Sequence, residues 1–339
     1  MEASATTTVT GGRSVLERPP GGRLPDQALR WGLSALAAAI LLLIVYFFIR
    51  LIGQSHTVFS RYGLSFVFGN DWDVNRNIYH GAAMLVGTLL TSSIALILGV
   101  PVAVTAAVFI NELCPRRLRQ PLSILVDLLA AVPSVVYGLW GVFVLAPKLL
   151  PAEKWFASTF SFIPWIGGGA PTLYNYFLAG LILAIMILPI ASAIAREVIA
   201  TVPPENKEAA LALGATRWEM IRMAVLPYSR PGITGGAMLA LGRALGETIA
   251  VVLVIGAAPT IGSHLFSQGN TFAAVIANEF GEAQGIHVSA LFAAGLVLFV
   301  LTLIVNIIAR WFVSRGSHGT RGTGATGMTI TSGPAGETS

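Results

Sequence analysis

Long apolar stretches constrain the fold of this chain more than any other feature. Several of them exceed the roughly 18 residues that a helix needs to cross a bilayer. Of the 339 residues, 55% are hydrophobic and 11% are charged, whereas about a quarter of a soluble domain is charged. The pattern predicts an all-α integral membrane protein with about six transmembrane helices. The predicted helices are about Trp31–Ile52, Ala82–Ile110, Leu122–Pro147, Leu173–Ile199, Gly232–Ala257 and Ser289–Val313.

The two ends of the chain differ from this apolar region. Residues 1–30 are rich in Thr, Gly, Pro and Arg and contain no apolar core. They predict a flexible tail rather than a cleavable signal peptide. Residues 314–339 are rich in Gly, Ser and Thr and predict a second flexible tail. The transmembrane domain is therefore expected at residues 31–313.

The basic residues indicate the orientation of the predicted helices. Fifteen Lys and Arg residues lie beside the helices on one side, five lie on the other side, and Arg243 lies within the membrane. Basic residues are enriched in cytoplasmic connections. Both termini and the connection between the fourth and fifth helices are therefore expected in the cytoplasm, the compartment that holds ATP.

That connection, residues 201–227, is polar and carries strong helix signals. Two prolines suit the first turn of a helix, where a missing N–H costs nothing. Gly214 accepts the left-handed conformation that ends a helix. Thr216 and Glu219 form a capping box, and Pro227 is expected to end the second helix. The sequence therefore predicts two short helices with a glycine corner between them.

The same connection resembles the EAA loop of permease subunits of ATP-binding-cassette (ABC) importers. Ala224 stands where that pattern usually has isoleucine, which is a conservative apolar difference. The resemblance implies a type I ABC importer permease architecture with a cytoplasmic coupling helix. It also implies that Glu208, Ala209, Ala210 and Gly214 couple the permease to an ATPase. The residues that carry the resemblance are Glu208, Ala209, Ala210, Gly214, Leu226 and Pro227.

Signals for catalysis, cofactors and metals are missing from the sequence. No Gly-x-x-x-x-Gly-Lys-[Ser/Thr] loop occurs, so the chain is not expected to hydrolyse nucleotide by itself. No cofactor motif or metal-ligand spacing stands out. His264 and His287 fall in a predicted exterior connection, where isolated histidines are expected to be solvated.

Charged residues inside the predicted membrane helices are the remaining candidates. Each costs about 2.5–3.5 kcal/mol near the centre of a bilayer. Arg243 and Glu247 are four residues apart on the fifth helix, so they can pair as a structural salt bridge or form a polar patch on a substrate path. Gly242 and Gly246 flank them and permit close approach of a helix or ligand. Asp127 is expected near the cytoplasmic end of the third helix, snorkelling or bonded to a neighbouring backbone group.

The stretch LGRALGETIAV at residues 241–251 looks like the signature of phosphate-specific ABC permeases of the PstC type, which belong to the binding-protein-dependent transport permeases. The resemblance covers roughly residues 30–313. It implies import of inorganic phosphate across the plasma membrane, with Arg243 and Glu247 on the phosphate path. It also implies a second, PstA-type permease, two PstB-type ATPases and an external PstS-type phosphate-binding protein.

Other functions are weighed against this one. A permease for another oxyanion, such as molybdate or sulfate, is the alternative within the class. A self-sufficient channel or secondary transporter is disfavoured by the two-helix corner, which would have no ATPase to contact, and by the lack of a detectable inverted repeat. A membrane scaffold would leave the membrane charges unexplained.

Overall fold

The structure, a computed structural model, describes residues 23–317 of the chain except Gly168. Most of the two predicted tails, residues 1–22 and 318–339, lies outside the described residues. The prediction that these tails are flexible therefore stays a prediction.

The chain divides into two compact units, Met1–Gly53 and Gln54–Ser339. Helix α1, Arg23–Tyr62, begins in the first unit and ends in the second. It starts before the predicted Trp31 and continues well past Ile52. Because no proline follows the apolar stretch before the end of this helix, polar residues extend it beyond the length that the bilayer requires.

A short irregular region follows α1 and includes a two-stranded hairpin. Helix α2, Ser65–Phe68, leads into strands β1, Trp72–Asp73, and β2, Ile78–Tyr79, which pair antiparallel. The Asp73 carboxylate accepts hydrogen bonds from two backbone N–H groups of the turn. The hairpin packs into a buried apolar cluster that includes Val58, Phe66, Trp72, Tyr79, Met84, Phe272, Val275 and Leu291.

Two long helices form the centre of the second unit. Helix α3, Ala82–Val108, continues as a π-helical segment, Phe109–Leu113, and packs along helix α7, Tyr176–Ala200. A Cβ added at Gly180 would lie 2.6 Å from the Ile94 side chain, so glycine allows the two helices to approach closely. Small residues at such contacts are typical of helix packing in membranes.

The chain between α3 and α7 differs from its prediction. Helix α4, Arg116–Ala131, is followed by helix α5, Ser134–Trp140, a π-helical segment, Gly141–Leu145, and helix α6, Ala146–Thr159.

The third transmembrane helix is therefore Ser134–Thr159, not Leu122–Pro147. Val132 is extended because the residue before a proline is disfavoured in helical conformation, and Pro133 then precedes the first turn of α5. Helix α4 is thereby separated as an amphipathic helix of 16 residues, which is shorter than a membrane span.

The remainder of the chain contains the predicted two-helix corner and two further membrane segments. In the part of the chain that the structure describes, five helices are long and apolar enough to span a bilayer, and there are six spans when the bent pair Arg217–Gly246 and Ile249–Ile255 is counted as one. About six spans are thus confirmed. The helices are α8, Pro204–Ala212, α9, Arg217–Met220, α10, Leu226–Gly246, α11, Ile249–Ile255, α12, Phe272–Glu279, and α13, Ile286–Ser317.

Candidate functional site

The predicted fifth membrane helix is broken where its charged residues lie. Helix α10 ends at Gly246, and Glu247 has an extended backbone with φ −69° and ψ 127°. The helix that ends at Gly246 and helix α11 are bent by 63° relative to each other. The prediction of one continuous helix over Gly232–Ala257 is therefore wrong.

This break separates the two charged side chains that the sequence placed on one helical face. Arg243 lies in the last turn of α10, whereas Glu247 lies beyond its end. Among the ion pairs of the residues that the structure describes, none joins Arg243 to Glu247. The spacing of four residues brings side chains together only while the helix continues, so the salt-bridge reading loses its geometric basis.

Arg243 faces open space. Its side chain is exposed, and that of Glu247 is half-buried. A Cβ added at Gly242 or Gly246 would meet no atom within 4 Å. The nearby chain is held in place by the hydroxyl of Tyr137 in α5, which donates a hydrogen bond to the Leu129 backbone carbonyl of α4 at 2.7 Å. A cation and a carboxylate that are not paired with each other are thus accessible beside a helix break.

Close packing holds α11 in its bent position. A Cβ added at Gly138 of α5 would lie 2.6 Å from the Leu253 side chain of α11. Gly256 ends α11 in the left-handed conformation, with φ +92°. Glycine allows close approach at the first position and is favoured at the second for its backbone conformation.

The polar corner after α7 has the predicted form. Helix α8 is followed by Gly214 with φ +85°, and α9 begins after Thr216. The Thr216 hydroxyl accepts a hydrogen bond from the Glu219 backbone N–H at 3.3 Å, and the Glu219 carboxylate accepts one from the Thr216 backbone N–H at 2.7 Å. The glycine corner and the capping box are therefore confirmed.

The expected end of the second short helix is wrong. Pro227 lies in the first turn of α10, and helical structure continues from Arg217 through Pro227 to Gly246. A π-helical segment, Ile221–Val225, precedes α10. The π-helical segment changes the hydrogen-bond pattern immediately before Pro227, so the N–H that proline lacks does not end the helical run. The corner is thus joined rigidly to the membrane helix that carries Arg243.

The four predicted coupling residues divide between two sides of the corner. Glu208, Ala209 and Gly214 are exposed, whereas Ala210 is half-buried and packs against a buried apolar cluster at the ends of α3 and α7. Leu213 is 90% exposed beside them. An open groove of about 860 Å³ runs along the corner from Asn206 to α10. Its exposed apolar rim is suited to contact another protein.

Comparison with known proteins assigns the family. The family described as "Binding-protein-dependent transport system inner membrane component" matches residues 99–318, which is more than half of the chain. The chain belongs to this family. The resemblance drawn from the EAA-like loop and from residues 241–251 is thereby confirmed.

Relatives of this permease share most of their length with it. The "Phosphate transport system permease protein PstC" of Mesorhizobium japonicum is 45% identical over 286 residues, which cover 82% of this chain and 88% of that protein. The PstC protein of Pasteurella multocida is 43% identical over 284 residues, with coverage of 82% and 88%. The "PstC 2" protein of Mycobacterium tuberculosis is 42% identical over 295 residues, with coverage of 86% and 91%.

A solved structure confirms the permease fold. One chain of a bacterial ABC transporter involved in the import of the acidic polysaccharide alginate superposes with a TM-score of 0.53 at 22% identity. The match covers 86% of this chain and 99% of that chain. Similarity at this level of identity shows the fold and not the substrate.

Sequence reasoning missed a polar network at the end of the permease that carries α8. Lys207 of α8 forms an ion pair with Glu112 at 2.7 Å, and Asn111 donates a hydrogen bond to the Arg196 backbone carbonyl at 2.7 Å. Arg196 also forms an ion pair with Asp127 of α4. Asp127 therefore does not lie in the third transmembrane helix, as predicted, but on the helix that precedes it. Lys207 and Glu112 are 95 residues apart in the chain, so no local sequence pattern indicates their ion pair.

The two connection histidines are buried, which corrects the prediction that they are solvated. His264 and His287 are 4% and 6% exposed. The Glu279 carboxylate pairs with His287 at 2.8 Å and accepts a hydrogen bond from the Trp72 indole N–H at 3.0 Å. Burial, and then the charge of Glu279, raise the pKa of Tyr79. Among the described residues, no three His, Cys, Asp or Glu side chains are grouped so that they could hold a metal ion.

Proposed function

We propose that this chain is the permease subunit of an ATP-driven ABC importer that carries inorganic phosphate across the plasma membrane. The exposed guanidinium of Arg243 at a break in a membrane helix is the observation that carries the proposal. The relatives named phosphate transport system permease protein PstC support phosphate as the substrate.

The chemistry of the two charged residues suits phosphate. A guanidinium binds two oxygens of phosphate through parallel charge-assisted hydrogen bonds. Phosphate retains a proton near neutral pH, and the Glu247 carboxylate can accept a hydrogen bond from it, whereas sulfate carries no such proton. Glu247 lies at the same helix break, and its negative charge opposes tight binding of an anion there, which favours release.

The exposed corner is the proposed contact with the ATPase. Glu208, Ala209 and Gly214 present an open surface with Leu213, which suits docking of a second protein. In this arrangement two PstB-type ATPases, a second PstA-type permease and an external PstS-type phosphate-binding protein complete the importer. The distribution of basic residues supports cytoplasmic termini and a cytoplasmic corner.

Neutral substitutions at the break test the phosphate path. Arg243→Gln is expected to abolish most radiolabelled phosphate uptake, normalised to membrane abundance, because the anion loses its counter-charge. Since the two residues are not paired, Arg243→Gln/Glu247→Gln is expected to remain inactive, with membrane abundance close to the unmodified chain. Arg310→Gln, which changes an exposed arginine of α13, serves as the matched control.

Two outcomes would contradict the proposal. Recovery of uptake in the double variant would show that charge balance, not contact with the anion, explains these residues. Inhibition of uptake by molybdate or sulfate at the concentration at which unlabelled phosphate inhibits it would instead indicate a permease for other oxyanions.

A further inference from the structure

One face of the short helix α8 is attached to the membrane helices. It has nine residues, from Pro204 to Ala212, which is too short for a stable independent helix. Ala210 packs against the buried cluster at the ends of α3 and α7. Lys207 lies three residues earlier and forms the ion pair with Glu112. Residues three apart share one face of a helix, so both attachments lie on the side that faces the membrane helices.

The ion pair is more enclosed than an ordinary surface pair. The Lys207 side chain is 24% exposed, and that of Glu112 is 9% exposed. By contrast, the pair between Arg76 and Asp73 has side chains that are 78% and 37% exposed. Exposed pairs contribute little, whereas removing one partner of an enclosed pair leaves a charge without compensation.

Glu112 connects this attachment to the centre of the membrane domain. It lies in the π-helical segment that continues α3, and α3 packs along α7. The neighbouring Asn111 binds the Arg196 backbone carbonyl of α7. A displacement of Lys207 therefore acts on the ends of both central helices through adjacent residues.

We infer that the Lys207–Glu112 ion pair transmits displacement of α8 to α3 during transport. The two residues are positioning residues, because they act through helix α3 and do not contact the substrate. This inference rests on the proposed function, in which an ATPase moves the exposed face of α8. The outer face, with Glu208 and Ala209, receives the movement, and the inner face, with Lys207, passes it on.

Charge reversal and exchange test the inference in the assembled importer. Glu112→Lys and Lys207→Glu are each expected to lower phosphate uptake per hydrolysed ATP by about tenfold, because each places like charges together. The ATPases are expected to co-purify as before, since the exposed residues of α8 are unchanged. The exchanged variant Glu112→Lys/Lys207→Glu restores opposite charges and is expected to return to within about twofold of the original ratio. Arg76→Glu, which breaks the exposed pair, is the matched control.

Hydrogen exchange of the α8 amides in the purified chain tests the attachment without transport. Each single reversal is expected to speed exchange at residues 205–212 by about tenfold, and the exchanged variant is expected to restore protection. If the original complex takes up no phosphate, the proposed function is refuted. The amide exchange of α8 would then still test whether the Lys207–Glu112 ion pair holds this helix.

Several results would overturn the inference. An unchanged ratio of uptake to ATP hydrolysis in both single variants would show that the pair transmits nothing. Loss of membrane abundance in the single variants, with the remaining protein fully coupled, would show that the pair only stabilises the fold. Unchanged amide exchange in the milder variants Glu112→Gln and Lys207→Met would show that the pair does not hold α8.

Discussion

At the scale of single residues, His264 is a titratable group whose charged form is disfavoured by burial. It is 4% exposed, and its Nδ1 has no hydrogen-bond partner among the described residues. Burial lowers the pKa of this imidazole. At acidic pH the unfolded chain therefore binds more protons than the folded chain does, and the free energy of unfolding falls as the pH decreases.

The connection around His264 is accordingly expected to open at acidic pH. Hydrogen exchange at residues 264–270 should speed up as the pH falls below about 6.5, the pKa of an unperturbed histidine, after correction for intrinsic exchange. His264→Gln should remove most of this dependence, whereas His56→Gln, at an exposed position, should retain it. Equal pH dependence in both variants would contradict the assignment to His264.

At the scale of elements, the corner between α8 and α9 depends on the backbone of Gly214. A Cβ there would meet no atom within 4 Å, so the constraint is the φ of +85° and not the available space. A branched side chain disfavours this conformation by about 1 kcal/mol or more, whereas Asn tolerates it.

Gly214→Val is therefore expected to misalign the two short helices. The variant should reach the membrane at normal abundance, but it should lose phosphate uptake and retain less ATPase on purification. Gly214→Asn should keep most of both activities, because it differs in size but accepts the left-handed backbone. Full uptake by Gly214→Val would mean that the corner is only a connection.

An element could be predicted from the sequence when the residues that determine it lie close together in the chain. The corner was predictable because Gly214, Thr216 and Glu219 act within a few residues of one another. The separation of α4 from α5 depends on Pro133, whose effect was hidden by the continuous apolar composition around it. The bend at Glu247 depends on packing of α11 against α5, more than a hundred residues earlier in the chain, so the local sequence could not reveal it.

At the scale of the whole molecule, the permease is expected to work only as part of an assembly. The chain has no phosphate-cradling loop, so the purified chain alone should not hydrolyse ATP. Purified with its partners, it should co-elute with an ATPase and a second permease, and that complex should hydrolyse ATP. Measuring ATP hydrolysis by both preparations checks this expectation, and activity of the pure single chain would contradict it.

The broken helix also has a consequence for hydration. The Thr248 hydroxyl donates a hydrogen bond to the Gly246 carbonyl at 3.2 Å, but the other carbonyls of the last turn of α10 have no further helical turn to pair with, and no side chain caps the N–H groups of the first turn of α11. Hydrocarbon cannot satisfy such groups, so a break at membrane depth must be wetted or covered by protein. Water held at the bend would allow an anion to lose its hydration shell in stages. Backbone dipoles and a guanidinium would contact the anion before its last water molecules leave. The bend would thus lower the dehydration barrier that a straight apolar helix would impose.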